Sequence, residues 1–182
     1  MSDDGRLEQE LVARARKGDE AAFENLVRMH QRQLYGYLFR LSGNVDDAME
    51  ITQRAFVKAY RSIGRFRGDS SFKTWLFRIA SNTLKNTIRD RSRRRTVPLD
   101  ALPLSSGRDP LDDAVQSQER AMLAAAVKTL PPRQRQALVL RTAEGCSFDE
   151  VARIMNCSTG AAKASYHHAV GKLKAILKGE RQ

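Results

Sequence analysis

Residues 147–178 read SFDEVARIMNCSTGAAKASYHHAVGKLKAILK, and that stretch predicts two helices of unequal length. Ser147 followed by Glu150 matches a capping box, in which the hydroxyl and the carboxylate each satisfy an otherwise unpaired backbone N–H. The short helix that starts there carries Val151, Ala152, Ile154 and Met155 at helical spacing. Asn156-Cys157-Ser158 interrupts the pattern, and a longer helix is predicted from about Thr159 to Lys178. Two such helices joined by a turn of ~3–4 residues form a helix-turn-helix, a DNA-reading unit whose second helix enters the major groove. Immediately upstream, Ala114 to Thr129 is alanine-rich with good helix propensity, and Leu130-Pro131-Pro132 stops it. A proline at a first helical position then starts a helix bearing Ala137, Leu138, Leu140 and Ala143, which Gly145 ends.

Further toward the N-terminus the composition changes. Between Pro98 and Gln118 stand Pro98, Pro103, Pro110, Gly107 and a serine pair, with four acidic residues against one basic. Proline spacing without apolar periodicity reads as a linker. Before it, the chain reads as four helices. Leu7 to Arg16 is short and amphipathic. Asp19 caps a second helix bearing Phe23, Leu26, Val27, Leu34, Tyr37, Leu38 and Leu41. After Ser42-Gly43-Asn44, a third helix places Val45, Ala48, Thr52, Ala55, Phe56, Ala59, Tyr60 and Ile63 on one face, with Asp47, Glu50, Arg54, Lys58 and Arg61 on the other. The fourth, from about Phe72 to Arg93, turns Trp75, Leu76, Ile79, Ala80, Thr83, Leu84, Thr87 and Ile88 inward. The expected architecture is all-α: two small helical domains at 5–95 and 114–179, each with its own core, joined by a flexible linker at 96–113.

The 182 residues carry a formal net charge of +11, with 29% charged and 41% hydrophobic residues. Such a composition is globular, and a surplus of that size calls for a polyanionic partner, nucleic acid before an anionic membrane surface. No apolar run approaches the ~18–20 residues that span a bilayer. Met1-Ser2-Asp3-Asp4-Gly5 lacks the basic start and apolar centre of a signal peptide, so the expected location is cytoplasmic. Cys146 and Cys157 fit a reducing compartment, the first as a small residue flanking a helix and the second as a buried turn residue. HExxH, Walker, GxGxxG and nucleophile-elbow motifs are absent, and the CxxC spacing of a zinc site is missing. No catalytic residue, metal, cofactor or small-molecule substrate is therefore assigned.

The fourth helix is the most informative. Arg78, Asn82, Lys85 and Arg89 recur at i, i+4, i+7 and i+11, one polar stripe, with Trp75 and Ile79 expected on the opposite face. The run Arg91, Arg93, Arg94, Arg95 follows. A stripe of this kind can be a merely solvated basic face. Beside it, however, lies the loop Phe66-Arg67-Gly68-Asp69-Ser70-Ser71-Phe72. Aromatic and short polar side chains next to cations can stack and hydrogen-bond an unpaired base while arginines hold phosphates. Extruding a base costs a few kcal/mol, so such a site prefers DNA already opening. At this level an autonomous helix-turn-helix regulator remains an alternative.

FRGDSSFKTWLFRIASN at 66–82, within the longer stretch 19–94, closely resembles region 2 of extracytoplasmic-function (group four) sigma factors of the sigma-70 family. LPPRQRQALVLRTAEGCSFDEVARIMNCSTGAAKASYHHAVGKLK at 130–174 resembles their region 4. The resemblance implies a factor that binds bacterial core RNA polymerase, recognises promoter DNA at its −10 and −35 elements, helps melt it, and is held in check by an anti-sigma factor. It assigns polymerase docking to Asp47, Glu50, Gln53 and Arg54. It assigns −10 contact to Phe66, Arg67, Asp69, Ser70, Phe72, Trp75, Arg78, Asn82, Lys85 and Arg89, the loop and Asn82 capturing a flipped base. It assigns −35 contact to Thr159, Lys163, Ser165, His168 and Lys172. The chain departs from the family pattern twice. Met49 interrupts an acidic run in the docking helix, and the reading helix has Ser165, His168 and Val170 where arginines are usual. Bidentate arginine–guanine contacts give about 1–3 kcal/mol each, so an atypical −35 sequence, or weaker reliance on it, is expected.

Overall fold

The computed structural model describes residues 3–94 and 117–179, and within them the chain is helical. The N-terminal part comprises α1 (Asp3–Ala15), α2 (Glu20–Ser42), α3 (Val45–Ser62), a 3-10 turn (Ile63–Arg65) and α4 (Phe72–Arg94). The C-terminal part comprises α5 (Ser117–Thr129), α6 (Pro132–Thr142), α7 (Phe148–Met155) and α8 (Thr159–Gly179). The expected linker, 96–113, and the start of the second domain at 114 lie outside the described residues. Among the described residues no helix is long and apolar enough to cross a membrane.

The helix boundaries follow local chemistry. Asp19 accepts a hydrogen bond from Ala22 N at 2.9 Å, and Asn44 accepts one from Asp47 N at 2.9 Å, so α2 and α3 start on capped N–H groups. Gly43, at φ +69°, ends α2 in the left-handed conformation that a Cβ would penalise. Ser71 accepts from Thr74 N at 3.1 Å and opens α4. The capping box of α7 is complete: Ser147 N donates to Glu150 Oε2 at 2.8 Å and Glu150 N to Ser147 Oγ at 3.2 Å. Asn156, at φ +54°, makes the turn between α7 and α8.

Leu26, Leu34, Tyr37 and Leu38 of α2 pack against Ile51, Ala55 and Ala59 of α3 and Leu76, Phe77 and Ala80 of α4, all fully buried. Three expectations change here. Ile51 joins the buried face of α3 whereas Tyr60 is 44% exposed, and Ile88 of α4 is 57% exposed, because the packed faces of these helices are narrower than the apolar pattern suggests. Cys157 is only half-buried while Cys146 is buried, and burial pushes the Cys146 thiol up to about 11, which makes it a poor nucleophile. The two parts also do not keep separate cores: Ala137, Leu140, Val151, Ile154 and Ala162 belong to the same apolar cluster as Leu76 and Tyr37. A smaller cluster, Ala126, Leu130, Leu138, Ala169 and Leu173, ties α5, α6 and α8 together.

Polar groups cross the same junction. Ser81 Oγ donates to the Phe77 carbonyl at 2.7 Å, so the Tyr37 hydroxyl must donate to Ser81, also at 2.7 Å. Gln136 Nε2 then donates to Tyr37 Oη at 3.0 Å and to Ser81 Oγ at 3.1 Å. Burial holds the Tyr37 phenol far above its ordinary ionisation range, so it stays a neutral donor. Lys73 Nζ donates to the Glu144 carbonyl at 2.7 Å, and Arg40 lies 3.5 Å from the Glu144 carboxylate, whose side chain is 2% exposed.

Burial pushes the Glu144 carboxyl above its ordinary value of 4.5, outweighing Arg40 and Lys73. Between 4.5 and its raised folded value the folded chain therefore retains a proton that the unfolded chain has released, and this group's contribution to stability falls as pH rises through that window. Glu144→Gln is expected to raise the thermal midpoint by about 2–4 °C at neutral pH and to flatten its decline between acidic and neutral buffers. A midpoint lowered equally at both would contradict that assignment.

Candidate nucleic-acid interface

α4 presents Arg78, Asn82, Lys85 and Arg89 to solvent along one stripe, all four exposed. Among the described residues neither Arg78 nor Lys85 has a carboxylate within ion-pair distance, and Arg89 approaches only Asp90 at 3.9 Å. Trp75 is not on the opposite face. It lies one turn before Arg78 and Ile79, about 60° around the helix from Arg78, and is half-buried at the edge of the stripe.

The loop before α4 departs from the expected picture in one respect. Phe66 and Phe72 are turned inward, 6% and 2% exposed, and form a cluster with Trp75 at centroid separations of 5.0 and 5.7 Å. Their rings thus shape the loop from beneath rather than offering a stacking surface. Burying two phenylalanines is favourable by roughly 1.5–3 kcal/mol each, and the loop is too short to expose them without losing that. What it does expose are Arg67, Gly68, Asp69 and Ser71, with Ser70 half-buried. Gly68, at φ +81°, makes the turn that lifts them.

A cavity of about 470 Å³ opens here, lined by Arg65, Phe66, Arg67, Asp69, Ser70, Thr74, Trp75, Arg78 and Arg153. It combines one partly exposed indole, short polar groups and four guanidinium groups, a set suited to an unstacked base with its phosphates. Arg65 was not legible as a member, since it sits in the 3-10 turn outside the motif. Arg153 comes from α7 and donates to the Asp69 carbonyl at 2.9 Å across 84 residues of sequence.

The α3 patch is ion-paired within the chain. Asp47 accepts from Arg91 at 2.7 Å, and Glu50 lies 3.1 Å from Arg54 and 3.8 Å from Arg91. The hydrogen bond to Asp47 raises the Arg91 guanidinium above its already high ordinary pKa. Arg91 was legible only as part of a basic run. Arg54 also donates to Thr87 at 3.3 Å. Gln53 is exposed, with Met49 and Val57 exposed four residues to either side, so the patch is part apolar.

On α8 the candidate residues do not form one face. At about 100° per residue, Ser165, His168 and Lys172 cluster roughly half a turn from Thr159 and Lys163. Thr159 donates to Asp149 at 2.8 Å and Lys163 lies 5.8 Å from the Phe148 ring, both beside α7. Ser165 is half-buried, whereas His168 and Lys172 are exposed. The centre of the exposed face is Gly160, Ala164, His167 and Gly171. His167 therefore joins the candidates, and the spacing i, i+4, i+7, i+11 was the available signal. A centre of small residues agrees with limited base reading by this helix. Among the described residues no group of three His, Cys, Asp or Glu side chains could hold a metal ion.

The pattern described as Sigma-70 region 2 matches residues 26–94, and that of Sigma-70, region 4 matches residues 120–173. The chain is similar to the RNA polymerase sigma-H factor of Pseudomonas aeruginosa, 38% identical over 173 residues that cover 89% of each. It is similar also to the ECF RNA polymerase sigma-E factor of Escherichia coli, 36% identical over 174 residues, covering 89% of this chain and 90% of that one. Among solved structures, CnrH in complex with the cytosolic domain of CnrY superposes with a TM-score of 0.72 at 26% identity, covering 95% of this chain and 98% of that one. The sigma factor RpoE of Bartonella quintana, solved with the anti-sigma factor NepR, gives 0.69 at 26% identity over 86% and 96%.

The exposed stripe yields a direct test. Arg78→Ala and Arg89→Ala should each reduce the log–log salt slope of single-strand binding by about 0.7, the loss of one phosphate contact. Asn82→Ala should weaken binding with the slope unchanged, since an amide releases no counterion. Identical slopes for all three variants would remove the arginines from the interface.

Proposed function

The chain belongs to the extracytoplasmic-function branch of the sigma-70 family, and on that premise we propose how its surfaces divide the work of starting transcription. It binds core RNA polymerase and directs it to promoters. The observation that carries the detailed reading is the conjunction on α4 of an exposed cationic stripe with the loop cavity at its N-terminal end.

In this reading the cavity receives a base of the −10 element flipped from the non-template strand. Asp69 and Ser70 hydrogen-bond its edge, Trp75 offers the partly exposed ring, and Arg67 and Arg78 hold its phosphates. Asn82, Lys85 and Arg89, further along the α4 stripe and outside the cavity lining, contact the nucleotides that follow. Phe66 and Phe72 support that site from within the core. Because the cavity admits only an unstacked base, binding energy is gained only when the duplex opens, and a binding preference becomes a melting activity. Asp47, Glu50, Gln53 and Arg54 of α3 dock on the polymerase, exchanging their internal pairs with Arg91 for intermolecular ones, with Met49 and Val57 adding apolar contact. Thr159, Lys163, Ser165, His167, His168 and Lys172 of α8 meet the −35 element mainly through its backbone, since a face centred on glycine and alanine has little reach to base edges. Both domains act where DNA and polymerase are, in the cytoplasm, and no reaction is catalysed by the chain itself.

Two similar structures were solved in complexes, CnrH with CnrY and the Bartonella factor with the anti-sigma factor NepR. By that likeness this chain is controlled by an anti-sigma factor.

Mixing the chain with bacterial core polymerase and fragmented genomic DNA, then sequencing the transcripts, tests the proposal. Starts that share an upstream motif and fall about tenfold or more for the Asn82→Ala, Arg89→Ala double variant are expected, matching the ~1–3 kcal/mol of a stacked, hydrogen-bonded base. The −35 motif should be the weaker of the two. No dependent transcript, with tight duplex binding by the chain alone, would instead indicate an autonomous regulator.

A further inference from the structure

Of the three histidines, His30 is 7% exposed and meets Glu8 at 2.6 Å in the N-terminal part. His167 and His168 stand on α8, both exposed, and among the described residues neither has a carboxylate within ion-pair distance. Residues 159–179 contain no Asp or Glu, and the four lysines of the helix, Lys163, Lys172, Lys174 and Lys178, are all exposed. Lys163 lies one turn before His167, and Lys172 one turn after His168. Of the elements packed on α8, α6 contributes only Arg133, Arg135 and Arg141 as charged groups. On α7, Asp149 accepts from Thr159 at 2.8 Å, Glu150 closes the capping box, and Arg153 donates to the Asp69 carbonyl. Glu144, in the loop between them, is buried beside Arg40. α5 carries Glu119 and Arg120 in its first turn and Lys128 in its last. It shares with α8 the cluster of Ala169 and Leu173, roughly 100° or more around the helix from either histidine.

The centre of the exposed face is cleared of bulk. A Cβ added at Gly160 or Gly171 would meet nothing within 4 Å, so nothing inside the chain requires glycine at either position. Gly171 lies in the helix interior, where glycine is unfavourable. With Ala164 between them, the gap lets an outside surface come close to the helix backbone. Between Gly160 and Gly171, His167 is the one side chain on that line longer than a methyl. Tyr166, packed on Phe148 at 5.6 Å, meets the His167 ring edge to face at 5.4 Å and steadies it from the core side. Resting on the sigma-factor reading, we propose that His167 and His168 are proton-dependent phosphate contacts, through which α8 grips the −35 duplex more tightly as pH falls. A neutral imidazole donates a hydrogen bond to a phosphate oxygen, but only an imidazolium also neutralises it and releases a counterion. Imidazoles in water gain that proton near pH ~6.5, whereas lysines stay charged throughout the neutral range. The duplex phosphates favour the charged ring in turn, so binding takes up protons. In alkaline buffer the helix holds DNA by its lysines alone, and in acid the −35 element counts for more.

The test measures binding of the full chain with core polymerase to a promoter that it transcribes, at about pH 6 and about pH 8, over a series of salt concentrations. Two fragments serve as probes, one carrying both elements and one cut off between them. Their affinity ratio isolates the −35 contact from any pH dependence of polymerase itself or of His30. For the parent, that ratio should rise about tenfold or more from pH ~8 to pH ~6 at ~0.1 M salt, with the log–log salt slope steeper by about 0.9 for each imidazolium that meets a phosphate. The double variant His167→Gln, His168→Gln should keep the parent's alkaline ratio and slope at both pH values. His167→Arg, His168→Arg should keep the acidic ones at both. Both positions are exposed, so neither pair of changes touches the core. A ratio and slope unchanged by pH in the parent, or a pH dependence that survives in the glutamine variant, overturns the proton-dependent contact and leaves the sigma-factor reading standing if transcripts persist. Absence of any core-dependent transcript from parent and variants alike overturns both.

Discussion

Gln136 donates two hydrogen bonds into a buried pocket, one to the Tyr37 oxygen and one to Ser81 Oγ, which also accepts from Tyr37, and that pocket lies where α2, α4 and α6 meet. A buried acceptor left unpaired costs about 1–3 kcal/mol, so the three side chains hold the helices in one register. The Tyr37 ring, 4.9 Å from that of Phe77, continues the same constraint into the apolar core. Once α4 is anchored through Phe77 and Ser81, its rotation about its own axis is determined. Arg78, Asn82, Lys85 and Arg89 then have nowhere to point but outward.

The division of α4 between two masters explains much of the rest. Leu76, Phe77, Ala80 and Leu84 serve the core, Thr83 and Thr87 receive Lys58 and Arg54 from α3, and the stripe faces solvent. The threonine hydroxyls also return hydrogen bonds to the carbonyls of Ile79 and Thr83 one turn back, so each both accepts and donates. The patch on α3 proposed to dock and the stripe on α4 proposed to read DNA are consequently tied by two direct hydrogen bonds.

Most of the fold was legible because its signals are local. Asp19, Asn44 and the Ser147–Glu150 box announce helix starts within four residues, and Gly43 and Asn156 announce breaks. The polar stripe of α4 was legible for the same reason, since residues at i, i+4, i+7 and i+11 necessarily share a helix face. What was illegible depended on partners far away in sequence. Phe66 and Phe72 looked like offered aromatics because nothing nearby shows that they meet Trp75 and turn inward. Arg91 lay in a featureless basic run, yet it pairs with Asp47 across 44 residues. Gln136 had no distinguishing signal at all, because its role is defined by two residues 99 and 55 positions upstream. The α8 set is split between two sides of the helix for another reason: Thr159 and Lys163 were matched to the family by position, whereas the exposed face is decided by how Ala162, Ala169 and Leu173 pack.

The central claim is that this chain gives polymerase the ability to open DNA at a −10 element. Permanganate reactivity of unpaired thymines on a promoter fragment measures that opening directly. The account predicts reactive thymines around −10 only when chain and core polymerase are both present, and their loss when Asn82 and Arg89 are replaced by alanine. Thymines equally reactive with core alone, or unreactive with both components under conditions that yield transcripts, would contradict it.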